Sequence, residues 1–225
     1  KGQVGLGHRR LSIIDLSKNG WQPMISANKQ LAISFNGEIY NYIELREELK
    51  NTGCVFSTET DTEVILQAYQ KWGIECFSRF NGMWALAIYD LRHNQLILSR
   101  DRYGKKPLYY YIDREKIIFA SEIKSIFKFP GIPRKPNKSK LVNYCARHYR
   151  YVDNDCESFF EGVMQVPKAE WMKIHSDGSI QKDLYWELEP ILHLPPKKNE
   201  SEAIEEFMHL FEHAVELRMR SDVPV

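Results

Sequence analysis

Four apolar runs follow one another between Met83 and Ser121, MWALAIYD, QLILSRD, PLYYYI and KIIFAS, and no other feature limits the fold as strongly. Each is rich in aromatic and β-branched residues, and polar turns such as RHN and DRE divide them, which is the pattern of β-strands. Their short spacing predicts an antiparallel meander. MWALAIY and QLILS are apolar on both faces, so each side of the sheet needs a cover. Upstream, LAISF alternates Leu31, Ile33 and Phe35 with Ala32 and Ser34, the period of a half-buried strand. Helices are predicted between the strands. Asn41 with Glu44 reads as a capping box, followed by Tyr42, Leu45 and Leu49 on one face. Thr60 with Glu63 repeats the signal before a stripe of Val64, Ala68 and Trp72, and Ser121 is placed to cap EIKSIFK. The expectation is an α+β domain with sheet inside and helices outside.

Composition narrows the function classes. A net charge of +1 over 225 residues supplies no field for nucleic acid or an anionic membrane. The longest purely apolar run, Met83 to Tyr89, is far short of the ~20 residues of a membrane span. Cys54, Cys76, Cys145 and Cys156 form no CxxC pair, so no metal site is expected, and reduced thiols of a cytoplasmic protein are. The chain opens at Lys1 in a Gly-rich stretch and closes at SDVPV, which reads as an internal fragment truncated at both ends. Past Trp186, LHLPPKKNES reads as a linker. Asn199 and Glu202 then cap a helix whose Ile204, Phe207, Phe211 and Val215 share a face without a sequence partner.

Four polar positions in the first third invite comparison: Arg10 in HRRLSII, Asn36 and Glu38 in FNGEIYN, and Asp61 in TETDTEV. Each has an ordinary structural explanation. Arg10 serves as a surface cation, Asn36-Gly37 as a type I′ turn and Glu38 as a solvated turn residue. Asp61 favours a helix N-terminus, worth roughly 0.3–1 kcal/mol. Together they match a free amino acid. Arg can hold an α-carboxylate with a two-pronged hydrogen bond, and two carboxylates can hold an α-ammonium. An Asn amide and the following Gly N–H can meet one carbonyl oxygen, as in an oxyanion hole.

RLSIID, FNGEIYN, TETDTEVIL, FNGMWALAIYD, SRDRYGKKPLYY and FASEIKSI, continuing through SFFEGVMQVP and YWEL to SDVPV, resemble the glutamine-hydrolysing asparagine synthetases. The similar part is their class II glutamine amidotransferase domain, and it covers essentially the whole chain. The resemblance implies stacked antiparallel β-sheets covered by helices on both faces, the αββα N-terminal-nucleophile type. It implies a glutaminase domain over 1–188 lacking its N-terminal segment, a linker over 189–200, and over 201–225 the first helix of an ATP-dependent synthetase domain. It implies glutamine binding by Arg10, Glu38 and Asp61, with Leu11, Ser12, Ile13 and Ile14 lining the pocket, and an oxyanion hole of Asn36 and Gly37. In such proteins the segment like SDVPV leads into a Ser-Gly-Gly-x-Asp-Ser loop for ATP. No cofactor is then expected on this chain; ATP and Mg²⁺ belong to the synthetase domain, which would adenylate aspartate and receive the ammonia. L-glutamine and that domain are the implied partners, and a homodimer is compatible.

One departure from the family is large. The nucleophile there is a cysteine at the mature N-terminus, with its own amine as base, and the Arg-His-Arg-Gly-Pro-Asp-like segment before RLSI is missing here too. None of the four cysteines replaces it, so this fragment is expected to be inactive alone. DRYGKKP reads as a turn, with a role facing the partner domain as the alternative. Two rival functions stay open: an amidotransferase for another carboxylate acceptor, in cell-surface or secondary metabolism, and a non-catalytic domain as in β-lactam synthetase relatives.

Overall fold

The computed structural model describes residues 4–147, 155–188 and 199–224. They form two compact units, one reaching Gly82 and resuming at Tyr185, the other spanning Met83–Leu184.

In the first unit, β1 (Met24–Ile25) pairs antiparallel with β2 (Leu31–Ile39), Met24 opposite Ile33. β2 buries Leu31, Ile33, Phe35 and Ile39, so the two-residue period runs past LAISF to the end of the strand. This corrects the turn expected at Asn36-Gly37: both residues lie inside the strand. α1 (Tyr42–Asn51) buries Leu45, Arg46 and Leu49. Asn41 does precede it, but its side chain makes no cap bond. Its amide instead donates to the Arg79 carbonyl at 3.0 Å and accepts the Asn81 N–H at 2.9 Å. α2 (Asp61–Trp72) carries the expected Thr60 cap, with the Glu63 N–H donating to Thr60 Oγ1 at 3.1 Å. The Glu63 carboxylate does not close the box; it accepts from the N–H and hydroxyl groups of Ser57 and Thr58. The short α3 (Cys76–Arg79) buries Cys76 and Phe77.

The second unit holds β3 (Gly82–Asp90, its first residue shared with the first unit), β4 (Gln95–Arg100), β5 (Tyr109–Ile112), β6 (Ile117–Ala120), β7 (Val163–Gln165), β8 (Glu170–His175) and β9 (Ile180–Leu184). β3 and β4 form the expected antiparallel hairpin, Ile88 opposite Ile97, with Asn94 of the turn at φ 49°. β5 and β6 pair as expected. The four do not make one meander. β4 takes β8 as its second neighbour, β9 follows, and β6-β5-β7 is a separate sheet. The DRYGKKP loop is the physical reason. The buried Asp101 carboxylate accepts N–H groups from Trp84, Tyr103, Lys105 and Lys106. The Arg100 guanidinium donates to the carbonyls of Gly104, Lys106 and Val166. The chain is thereby bent out of the first sheet before Tyr109. The loop is thus braced from within by one buried carboxylate and one guanidinium, which is more than the turn expected of Gly104 and Pro107.

Ile126, Ile132 and Val163 centre the core beside the second sheet, with Tyr109, Tyr111, Phe127 and Phe160 around them. α4 (Ile123–Ile126) starts after Glu122, which makes no side-chain cap bond, so Ser121 is not its N-cap. α5 (Lys138–Arg147) had no sequence prediction. α6 (Glu200–Arg218) belongs to the first unit and has the predicted Asn199/Glu202 capping box. Its Ile204, Phe207, Phe211 and Val215 are exposed. The expected linker over 189–200 falls outside the described residues except for Asn199 and Glu200, which begin this helix. Among the described residues no helix is long and apolar enough to cross a membrane. The architecture is α+β, built on antiparallel sheets with helices.

Candidate active site

The alternation of β2 builds the first part of the site. With Leu31, Ile33, Phe35 and Ile39 committed to the core, Asn36 and Glu38 share the opposite face as next neighbours along the strand. Gly37 lies between them at φ 156°, a backbone region side-chain-bearing residues rarely adopt. The last residue of β2 makes the next link: the Ile39 N–H donates to Asp61 Oδ2 at 3.0 Å.

Asp61 opens α2 and is buried. Its carboxyl is pushed up to about 6, first by burial and then by the charge of Glu38, against the Ile39 hydrogen bond. The charge of Glu38, the residue before Ile39 on β2, thus bears on the Asp61 carboxyl. Arg46 of α1 fixes the approach to Asp61. It is buried, donates to the Thr58 and Thr60 carbonyls, and lies 4.8 Å from the Phe56 ring centroid. Sequence reasoning missed Arg46, which is one charge among several in IELREELK.

Arg10 lies in a loop folded around its own guanidinium. Nη1 donates to the Ser17 carbonyl at 3.0 Å; Nη2 donates to the carbonyls of Ile14, at 2.7 Å, and Asp15. Both Nη2 protons are thus used, and neither edge of the guanidinium presents a free two-pronged fork. An incoming carboxylate meets single remaining N–H groups or displaces a carbonyl. The loop is linked to the Asp61 segment through Asp15, whose Oδ2 accepts the Glu59 N–H at 3.3 Å. Burial raises the Asp15 carboxyl, but hydrogen bonds from Ser17 and Glu59 and the charge of Arg10 together hold it below its ordinary range. Of the predicted pocket wall, Ile14 is buried, Ser12 and Ile13 are half-buried, and Leu11 is 83% exposed.

Two glycines were also missed. A methyl group on Gly20 would collide with the Nη1, Nη2 and Cζ atoms of Arg10, and one on Gly82 would collide with the Glu38 carbonyl oxygen. Both permit close approach to residues of the site. If Arg10 holds a carboxylate, as the sequence leads one to expect, Gly20→Ala should displace its head group and raise KM roughly 10-fold, with kcat within about 2-fold. Steady-state kinetics check this, and an unchanged KM would show that the close approach of Gly20 to Arg10 is not needed for binding.

Two of the cysteines have surroundings opposite to those of an activated thiol. Burial raises the Cys76 thiol well above its ordinary value, and burial followed by the Glu170 charge raises that of Cys156. Cys145 is exposed on α5, and Cys54 Sγ lies 3.8 Å from Thr52 Oγ1. A separate cavity of about 300 Å³ in the first unit is lined by Asn19, Met24, Ser26, Glu63, Gln67 and Gln70, none of them a predicted site residue.

Residues 1–186 match the family profile of the glutamine amidotransferase domain. The chain is 38% identical over 237 residues to a Methanocaldococcus jannaschii protein provisionally named asparagine synthetase (glutamine-hydrolyzing) 2, covering 99% of this chain and 45% of that protein. It is 37% identical to asparagine synthetase (glutamine-hydrolyzing) 1 of Bacillus subtilis, at 99% and 34% coverage. It is 34% identical to the amidase chry2 of Gibberella zeae, at 99% and 32% coverage. The chain spans less than half the length of these relatives. In structure it resembles a glutamine phosphoribosylpyrophosphate amidotransferase from B. subtilis, with TM-score 0.53, 22% identity, and 80% and 34% of the two chains covered, a likeness of fold.

Proposed function

Since the chain belongs to the class II glutamine amidotransferase domain family, we propose that it is the glutaminase part of a glutamine-hydrolysing asparagine synthetase. The observation that supports the reading is the Ile39 N–H bond to Asp61, which ties the start of α2 to the end of the strand that bears Asn36, Gly37 and Glu38. Two carboxylates, one of them buried and raised, form a site for a cation. An ammonium there leaves the rest of an amino acid to lie along β2, past an amide donor and a backbone N–H.

In the proposed reaction a thiolate attacks the carboxamide carbon of glutamine. The C–S bond forms as the carbonyl π electrons move to oxygen, and Asn36 Nδ2–H and Gly37 N–H stabilise that oxyanion. Its collapse breaks the C–N bond; the leaving nitrogen takes a proton and departs as ammonia, giving a thioester. Water then releases glutamate and the thiol. Arg10 holds the α-carboxylate, beside Leu11, Ser12, Ile13 and Ile14. The thiolate is assigned to an N-terminal cysteine of the complete protein, as the family resemblance implies. ATP and Mg²⁺ are assigned to a synthetase domain following α6, where ammonia would convert aspartate to asparagine through an adenylate. In this reading residues 1–188 are the glutaminase domain, 189–200 its linker and 201–225 the entry to the synthetase domain.

The test uses the protein expressed from its complete reading frame. Glutamine should yield glutamate in step with ATP-dependent asparagine formation, and ammonium salts should replace glutamine. Absence of glutamate release would overturn the reading. A second reading follows from the similarity to the fungal amidase: amide hydrolysis as the whole activity. Ammonia released without ATP consumption, at full rate and with no amidated product, would favour it. Amidation of a carboxylate other than aspartate would keep the glutaminase and change the acceptor.

A further inference from the structure

The five residues that end and follow α6 touch both arms of the proposed glutamine pocket. Arg220 Nη1 donates to the Tyr40 carbonyl at 2.8 Å, and its Nη1 and Nη2 grip the Glu44 carboxylate at 2.7 and 2.6 Å. Tyr40 directly follows β2, and the Arg218 guanidinium lies 4.7 Å from its ring centroid. Two residues further on, Asp222 holds the other arm. Its Oδ2 accepts the Asp15 N–H at 2.7 Å, and its own N–H donates to the Ile13 carbonyl at 3.0 Å. Ile13–Asp15 is the turn whose Ile14 and Asp15 carbonyls hold the Arg10 guanidinium. Tyr42, the first residue of α1, is affected by the same segment: burial first, then the charges of Asp222 and Asp61, raises its hydroxyl.

These contacts differ from an ordinary surface ion pair. An exposed Arg–Glu pair contributes little, but here Arg220 and Asp222 each bind main-chain atoms of a segment that carries proposed site residues. Asp222 brackets the turn from both sides, as acceptor for Asp15 and donor to Ile13. Displacing Asp222 removes two of the bonds that hold the turn and loosens the carbonyls that place Arg10.

We propose that Asp222 and Arg220 are positioning residues for the glutamine pocket, Asp222 acting through the Ile13–Asp15 turn on Arg10 and Arg220 acting through Tyr40 on the end of β2. This rests on the glutaminase reading above. Its consequence is that glutamine affinity depends on a segment 207 residues away from Asp15 in sequence. Whatever shifts the chain after α6 shifts the carboxylate clamp.

In the protein expressed from its complete reading frame, Asp222→Ala is expected to raise the KM for glutamine roughly 10-fold with kcat within about 2-fold. Asp222→Asn keeps an acceptor oxygen for the Asp15 N–H and is expected to restore a KM within about 2-fold of the parent's. Arg220→Ala should raise KM and Arg220→Lys restore it only in part, because a lysine lacks the planar fork. A merely structural role would lower the active fraction, so that kcat falls at constant KM; that result, or an unchanged KM in Asp222→Ala, overturns the proposal. Hydrogen–deuterium exchange supplies a readout without catalysis. Amides in the peptide spanning residues 11–17 should exchange faster in Asp222→Ala and at the parent rate in Asp222→Asn, and unchanged exchange in Asp222→Ala also overturns it. If the unsubstituted protein releases no glutamate, the glutaminase reading fails, and exchange still decides whether Asp222 holds the turn.

Discussion

Asn36→Ala is expected to lower kcat for glutamine hydrolysis by roughly 10²–10³, the usual loss for one oxyanion donor, while KM changes little. The substrate carbonyl carries only partial charge, whereas the oxygen becomes a full anion once the thiolate has attacked. As a proposed oxyanion donor, the Asn36 amide would therefore meet its strongest acceptor in the transition state. Its place on β2 favours a clean experiment. Asn36 is half-buried on the face opposite Leu31, Ile33 and Phe35, so shortening it leaves the core packing of the strand in place. Arg10→Ala gives the contrast. The α-carboxylate keeps its charge throughout the reaction, so its loss should appear chiefly in KM. Both variants should keep ammonia-dependent synthesis, because added ammonia bypasses glutamine hydrolysis. Parallel assays with glutamine and with ammonium salts separate the two roles. A variant lacking Asn36 that keeps its kcat and changes only KM would make Asn36 a binding residue.

How the sequence both revealed and concealed this strand is instructive. Asn-Gly is a turn signal because both residues tolerate positive φ, and taken locally it ends LAISF at Phe35. The longer pattern says otherwise. Leu31, Ile33 and Phe35 are followed two by two by Gly37 and Ile39, and the buried Ile39 shows that the strand period won over the turn chemistry. The β3–β4 hairpin was legible because apolar residues on both sides of a short polar turn leave few alternatives. β9 was not, since IQKDL is exposed along its length and carries no burial pattern. The choice of β8 over β5 as the neighbour of β4 was hidden too, because it depends on the loop that Arg100 and Asp101 brace. Among the site residues, the proposal that Glu38 and Asp61 act as a pair followed from asking what an amino acid presents to a protein. Arg46 and Asp222 had no comparable signal: each acts on backbone groups distant in sequence, and their composition alone marks them as surface charges.

Asp61→Asn is expected to make the ligand-free protein more stable and the enzyme worse. Burial and the Glu38 charge raise the Asp61 carboxyl from 3.8 to about 6 in the folded state. A carboxyl raised on folding binds more protons folded than unfolded between those two values. Stability therefore falls as pH climbs through that window, and the cost is fully present above about 6. A shift of about two units sets a ceiling near 3 kcal/mol, and the Ile39 N–H gives up some hydrogen-bond strength to a neutral acceptor. For the Asp61→Asn variant the expectation is a net gain of about 1–2 kcal/mol at pH 7.5, or a Tm higher by about 3–8 °C if the chain unfolds as one unit. In the proposed site the same substitution removes one of two charges assigned to the substrate ammonium, and the KM for glutamine should rise by roughly 10²-fold, the loss expected when a buried charge loses its partner. The parent enzyme should show the complementary pH profile. Below about pH 6 the free site holds a proton where the ammonium must bind, so kcat/KM should fall about tenfold per pH unit. Bound ammonium favours the ionised carboxylate and draws its pKa back down, so kcat should begin to fall at a lower pH than kcat/KM. Asp61→Asn should abolish that separation. Thermal unfolding at pH 5 and 7.5 with both rate profiles decides the matter: a variant no more stable at pH 7.5 than the parent, with the acid limb of kcat/KM intact, would show that Asp61 is not the titrating acid of the glutamine site.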